Sequence, residues 1–200
     1  MERRPRGRPR SFDTGTALKA AAERFRTHGF AGTSLDELAE ATGLNRPSLY
    51  AAFGDKRALY LAALTDLHAG LTRAFDAVAA ADLPLDELLP AIFTRTINGY
   101  LKGEKGAAGC LAISTAATEA VGDPAVREAL AAILKLEDER IAALLERAGS
   151  PMPEAHGRIV TSVLHSLSVR ARAGASREAL DQVANDCIAL ILPGTAKDRV

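Results

Sequence analysis

Arg46 and Ser48 lie at the start of a segment backed by apolar residues, Asn45-Arg46-Pro47-Ser48-Leu49-Tyr50-Ala51-Ala52-Phe53. A guanidinium and a hydroxyl in the first turn of a helix are groups suited to hydrogen-bonding base edges in a DNA major groove. On a helix, Leu49 and Phe53 form an i, i+4 apolar pair facing a core. Pro47, Ser48 and Ala51 point the opposite way, with Tyr50 on the flank. That outward face carries no carboxylate of its own to repel phosphate. A second set of candidates is the arginine run Arg6-Gly7-Arg8-Pro9-Arg10, where two arginines flank a glycine thin enough for a narrow A·T-rich minor groove. A solvated basic tail that only neutralises phosphate is the alternative. Cys110 is the third candidate. It follows Gly109 at the expected start of a helix, a position that lowers a thiol pKa and promotes reactivity, while the alternative is a small buried residue. Cys187 sits in a mostly apolar stretch and is expected to pack.

Other chemistry is missing. The sequence has no G-x-x-x-x-G-K-[ST], no strand followed by G-x-G-x-x-G, no G-x-S-x-G, no CxxC and no HxxxH. An enzyme would have to rest on Cys110 with the distant His165, and no catalytic residue, cofactor or metal is expected.

The elements that must position these side chains read as helices. The composition is 48% hydrophobic but 4% aromatic, and 40 of the 200 residues are alanine, which favours helices with small interface residues. Leu18, Ala21, Ala22 and Phe25 recur at helical spacing and Gly29 stops them. Ser34 and Glu37 form a capping-box pattern, Gly43 breaks the chain, and Asn45 caps a helix with Pro47 near its start. Residues 34–53 therefore have helix-turn-helix spacing, although an ordinary helical hairpin would share it. Asp55 caps a long helix to about residue 81. Further breaks at 84, 103–109, 122–124, 149–153 and 174–176 leave about nine helices and no convincing strand. The chain is formally neutral, with 25 Lys+Arg and 25 Asp+Glu. Residues 1–60 nevertheless hold 11 basic against 7 acidic residues, a net of +4, and residues 61–200 a net of −4. That polarity suits a basic reading end on an acidic body. With no apolar run near bilayer length and no apolar leader after Met1, a cytoplasmic protein without membrane contact is expected.

The stretch AAERFRTHGFAGTSLDELAEATGLNRPSLYAAFGDKRALY resembles the N-terminal DNA-binding domain of the TetR/AcrR family of transcriptional regulators. The resemblance rests on Phe25, Gly29-Phe30, Thr33-Ser34, Leu38-Ala39, Gly43, Ser48-Leu49-Tyr50, Phe53 and Lys56. Residues 1–10, with only Arg, Pro and Gly after Glu2, read as a disordered basic arm, and the resemblance implies an all-α fold that opens with a three-helix helix-turn-helix domain (11–60). A larger ligand-binding and dimerisation domain (61–200) completes it. It further implies a homodimeric, ligand-responsive regulator, a repressor released from a palindromic double-stranded operator by an unidentified small-molecule effector. An architectural DNA-binder without effector, or a thiol sensor acting through Cys110, are the alternatives. Carried over by position, the resemblance puts Thr33 and Ser34 near phosphate. It puts Asn45, Arg46, Pro47 and Ser48 in the groove, Tyr50 on the backbone and Lys56 on a phosphate. Ala51 and Ala52 stand where the family often has Tyr or His, so fewer specific hydrogen bonds are expected from that helix.

In the larger domain, inward faces suggest a pocket at Leu67, Phe75, Phe93, Tyr100, Cys110, Ile113, Thr118, Leu164 and His165, aliphatic and without clustered charge. The last two helices are apolar on more than one face, through Ile159, Val163, Leu164 and Leu167, and through Leu180, Val183, Ala184, Cys187, Ile188 and Ile191. Apart from Leu164, these residues are expected to build an isologous four-helix dimer interface, with packing inside one chain as the alternative.

Overall fold

Asp13 turns extended chain into helix: its carboxylate accepts the Gly15 N–H at 3.0 Å and opens α1 (Thr14–His28). The computed structural model describes residues 13–103 and 106–192. Among them are nine α-helices and no strand. The arginine arm, with Arg6, Arg8 and Arg10, lies outside the described residues. Ala17, Ala21 and Phe25 make the buried stripe of α1, and Gly29 ends it at φ +77°. A reciprocal capping box then starts α2 (Leu35–Thr42). The Glu37 N–H donates to Ser34 Oγ at 3.2 Å, and the Ser34 N–H donates to Glu37 Oε2 at 2.7 Å. Asn45 caps α3 (Arg46–Phe53) by accepting the Ser48 N–H at 2.9 Å. Asp55 does the same for α4 (Lys56–Ala80).

The body is built from α5 (Leu85–Tyr100), α7 (Pro124–Arg147), α8 (Pro153–Arg172) and α9 (Arg177–Ile191): α7 packs on α4 and on α8, and α5, α8 and α9 pack on one another. Between α5 and α7 runs a π-helical turn, Ala112–Ala116, that continues into the short α6 (Ala117–Glu119). Within that turn the Thr115 hydroxyl donates to the Leu111 carbonyl at 2.7 Å, competing with backbone donors for it.

One apolar core joins head and body. It runs from Phe25, Leu38 and Leu49 through Leu59, Tyr60 and Leu64 of α4 to Ile97, Ile141 and Leu167. Burial of each such side chain contributes roughly 1.5–3 kcal/mol. Tyr60 sits at the junction. Its ring meets Phe25 edge-on at 5.0 Å and lies 5.1 Å from Phe30, while its hydroxyl reaches Thr115 Oγ1 at 2.6 Å. Since the Thr115 proton goes to Leu111, Tyr60 is the donor. Burial pushes its phenol up to about 12, which keeps that proton in place.

Five of the nine expected dimer residues belong to this chain's own core instead. Leu167, Leu180, Ala184, Cys187 and Ile191 are buried where α8 and α9 pack on each other and on α5. A helix with two apolar faces satisfies its own core with one of them. Ile159 stays exposed, Val163, Val183 and Ile188 are half-buried, and Val169 and Leu190, which the sequence pattern did not single out, are exposed as well.

At the start of α4, Arg57 pairs with Asp123, its Nη2 donating to Asp123 Oδ1 at 2.7 Å. Asp123 also caps α7 by accepting the Ala125 N–H at 2.9 Å. The Arg57 hydrogen bond, with help from the capped N–H groups, holds the Asp123 carboxyl down at about 2. A depressed folded pKa stabilises above the unfolded value of about 3.9 and is lost as pH falls through the folded one. Asp123→Asn keeps the cap and removes the charge. Calorimetry is expected to give a lower Tm for the variant at pH 7. The gap should narrow only below about pH 4, as the wild-type carboxylate protonates.

Candidate nucleic-acid interface

The two helices α2 and α3 meet across the turn at Gly43, whose φ of +67° is the left-handed conformation glycine adopts without strain. Leu49 is buried on the inner side of α3. Asn45, Arg46, Pro47, Tyr50, Ala51 and Ala52 are exposed, and Ser48 is half-buried. Tyr50 is 46% exposed and so does not fill the core. The Ser48 hydroxyl and the Arg46 guanidinium occupy the first turn of α3. The face is not free of negative charge, however. Asp36 of α2 takes Arg46 in a two-pronged pair, Nε to Oδ1 at 2.7 Å and Nη2 to Oδ2 at 2.6 Å. Both side chains are more than half exposed, so water competes for the pair and its net worth is small.

Two phosphate candidates are engaged within the chain. Thr33 is 1% exposed and its hydroxyl donates to the Gly29 carbonyl at 2.6 Å, so this side chain closes the α1–α2 turn and cannot reach a phosphate. Lys56 is half-buried with its ammonium 4.5 Å above the Phe30 ring. Ser34 is exposed, though its own N–H is held by Glu37.

The head is tied to the body by two arginines that sequence reasoning did not single out. Arg26 of α1 donates to the carbonyls of Gly99 (3.3 Å), Gly109 (3.0 Å) and Lys102, and pairs with Glu23 at 2.9 Å. Arg172, at the end of α8, donates back to the Arg26 carbonyl at 2.6 Å and the Thr27 carbonyl at 3.2 Å, where α1 has run out of backbone donors. Gly109 is fixed by this packing. Its φ is +68°, and a Cβ there would lie 2.7 Å from the Ser168 carbonyl oxygen.

Residues 17–63 match the family model described as "Bacterial regulatory proteins, tetR family". A solved cysteine mutant of the TetR family transcriptional regulator CifR, complexed with 26-bp double-strand operator DNA, superposes with a TM-score of 0.74. It is 32% identical, over 91% of this chain and 98% of that one. The chain belongs to the TetR family of transcriptional regulators. Its other relatives include the HTH-type transcriptional repressors ComR and BdcR of Escherichia coli (strain K12). ComR is 27% identical, over 94% of this chain and 93% of its own length. BdcR is 28% identical, over 87% and 86%. The protein is thus a DNA-binding transcriptional regulator of this family. No helix among the described residues is long and apolar enough to cross a membrane.

In this TetR-family chain a half-open cavity of about 420 Å³ lies between the body and α1. Of the expected lining, Leu67, Phe75, Tyr100, Cys110 and Leu164 face it. Four other residues do not line it. Phe93 is locked in the core on another side of α5. Ile113 packs against that core, and Thr118 is exposed. The π-helical turn adds a residue per turn between Cys110 and Thr118, so ordinary helical spacing does not carry from one to the other. His165 turns to Glu137, its Nε2 2.8 Å from Glu137 Oε2.

The lining is also more charged than the composition of those faces suggests, because α1 supplies part of the wall. Lys19, Ala22, Glu23 and Arg26 join Asp66 and Arg95 around it, with Glu137 among the apolar side chains. Glu137 had a readable signal. It stands between Ile133 and Ile141 at i, i+4 spacing, a carboxylate interrupting the buried stripe of α7.

Cys110 does not have the activated thiol its helix-start position suggests. It is buried, and desolvation pushes its thiol up to about 11, with the charge of Glu137 adding to the effect. Burial also raises the Cys187 thiol. Both thiols are expected to react slowly with iodoacetamide at pH 7.5 and fast only after denaturation, as mass spectrometry of timed aliquots would read. Rapid labelling of folded protein at Cys110 would contradict the burial described.

Proposed function

We propose that the protein is a repressor that binds a palindromic double-stranded operator as a homodimer and is released when a small molecule occupies the body cavity. Residues 11–60 would be the DNA-binding part, residues 61–200 the effector-binding and dimerisation part, and residues 1–10 a basic arm. Acting on operator DNA, it would work in the cytoplasm, as a regulator and not an enzyme. The observation that carries this reading is the make-up of the cavity wall. Ala22, Glu23 and Arg26 belong to α1, the helix on which α2 packs, so an occupant of the cavity touches the DNA-binding head directly. The CifR operator complex and the repressor relatives support the DNA side of it.

On DNA, Asn45, Arg46, Pro47 and Ser48 would enter the major groove, with Tyr50, Ser34 and Lys56 on the backbone. Arg46 must exchange Asp36 for a base edge or a phosphate, and Lys56 must leave Phe30. Asp36 thereby favours sites that repay its displacement and disfavours indiscriminate phosphate binding. Dimerisation would use the apolar surface that α8 and α9 leave over, through Ile159, Val163, Val183 and Ile188 together with Val169 and Leu190. Half-sites of such dimers lie about 34 Å apart or at multiples of that spacing, so a small change in the distance between two α3 helices defeats simultaneous docking. The thiol-sensing alternative has little support from a buried thiol near 11.

Selection of genomic fragments by the purified full chain is expected to recover an inverted repeat. Arg46→Ala should weaken binding to it by about 1–3 kcal/mol while leaving random-sequence DNA less affected. Deletion of residues 1–10 should flatten the log–log salt slope by about 0.9 for every phosphate that the arm neutralises. Recovery of fragments with no shared sequence would favour the architectural DNA-binder instead.

A further inference from the structure

Two polar groups inside the cavity limit what can fill it. Glu137 is 7% exposed and lines the cavity among Ala63, Leu67, Leu71 and Leu164. One of its oxygens, Oε2, is held by His165 at 2.8 Å; Oε1 makes no hydrogen bond among the described residues. The hydroxyl of Tyr100, a buried residue lining the same cavity, likewise makes none. Both residues line the one cavity, and burial, with smaller contributions from Cys110 and the Glu137 charge, pushes the Tyr100 phenol well up, so its hydroxyl stays protonated. Neither Glu137 Oε1 nor the Tyr100 hydroxyl is among the fully enclosed atoms left without a partner, so both open on the cavity. A charge-assisted hydrogen bond in that apolar wall is stronger than one in water. A ligand that brings a donor and a positive charge to that point gains what the free protein lacks.

We propose that the cavity binds an apolar amine, its protonated nitrogen donating to Glu137 Oε1 and Tyr100 Oη and its hydrocarbon or aromatic body lying along α1, α4 and α8. The inference takes from the reading above only that a small molecule occupies this cavity. At about 420 Å³ the space is at the low end of those that hold drug-sized ligands, which suits one aromatic ring and a short chain. A carboxylate head is disfavoured inside, because it meets Glu137 with like charge. Of the cations in the wall, Arg26 is already engaged by Glu23 and three backbone carbonyls, and Lys19 and Arg95 are exposed, where water screens the attraction.

Three probes that differ only in the head group decide the matter: phenylbutylamine, phenylbutanol and phenylbutanoate, titrated calorimetrically into the full chain without DNA. The amine is expected to bind more tightly than the carboxylate by about ten-fold or more, with the alcohol between them. Glu137→Gln should weaken the amine by about ten-fold and the alcohol much less, and Tyr100→Phe should weaken the amine by a smaller factor. A cooperative melt of each variant establishes that it is folded. The proposal is overturned if the carboxylate binds as well as the amine, if none of the three binds, or if Glu137→Gln leaves the amine unaffected. Operator binding is then measured with the amine present. Tight binding through Glu137 that leaves operator affinity unchanged would uphold the ligand chemistry and sink the release mechanism, so the two failures are told apart.

Discussion

The Arg26 guanidinium is the contact through which the DNA-facing helices and the cavity share one geometry. It leaves α1 and reaches the carbonyls of Gly99 and Gly109, the second of which belongs to the stretch that also supplies Cys110 and Leu111 to the cavity wall. A planar fork with five donors can serve several carbonyls and a carboxylate together, which an ammonium on a flexible stem cannot do with the same geometry. Hydrogen bonds to a charged group are worth about 1.5–3 kcal/mol each, so the acceptors cannot drift away from Arg26 without appreciable cost. Gly109 adds rigidity, because Ser168 and Ser114 press on the space where a side chain would be. Moving this segment therefore moves the end of α1, and with it the packing of α2 and α3.

Tyr60 makes the same connection from the other direction. Its ring belongs to the aromatic cluster of the head and its hydroxyl to the π-helical turn of the body. Arg57 with Asp123, and Arg172 with the last carbonyls of α1, add polar ties at the periphery. The long helix α4 supplies Tyr60 and Arg57, but the hydrogen bonds of Arg26 and Arg172 identify α1 as the element gripped most directly. The polarity of the chain fits this division of labour. The net +4 of residues 1–60 comes entirely from residues 1–10 and draws that end to phosphate. Residues 61–200, with net −4, are kept away from it, and screening at physiological salt limits each effect to about 8 Å.

What could be read from the sequence was local. The caps Ser34, Asn45 and Asp55, the glycine stops and the apolar faces of α1 to α3 each depend on residues within a turn or two, so their spacing identifies them. The outward set on α3 was legible for the same reason. Thr33 was not, because whether a hydroxyl faces solvent or closes a turn depends on how α1 and α2 cross. The pocket was legible only in part. Helical periodicity placed Leu67, Phe75 and Leu164, but the π-helical turn broke the register beyond Cys110. The contribution of α1 depends on contacts between residues more than seventy positions apart, such as Arg26 with Gly109. Five of the nine residues expected at a dimer face lie in the chain's own core for a related reason. Periodicity finds an apolar stripe on α8 or α9, but it does not say whether the stripe faces the chain's own core or a second copy.

A double-mutant cycle on operator affinity tests the coupling most directly, and it needs no knowledge of the natural ligand. Ala74→Trp puts a large side chain into the cavity from α4, imitating an occupant, and Arg26→Ala removes the tie to the head. A cooperative melt of each variant establishes that it is folded. With Arg26 present, filling the cavity is predicted to weaken operator binding by about ten-fold or more. With Arg26 absent, the same filling should change it little, giving a clear coupling energy between the two sites. Equal effects of Ala74→Trp in both backgrounds, or no effect in either, would contradict the view that the cavity speaks to the DNA-binding head through α1.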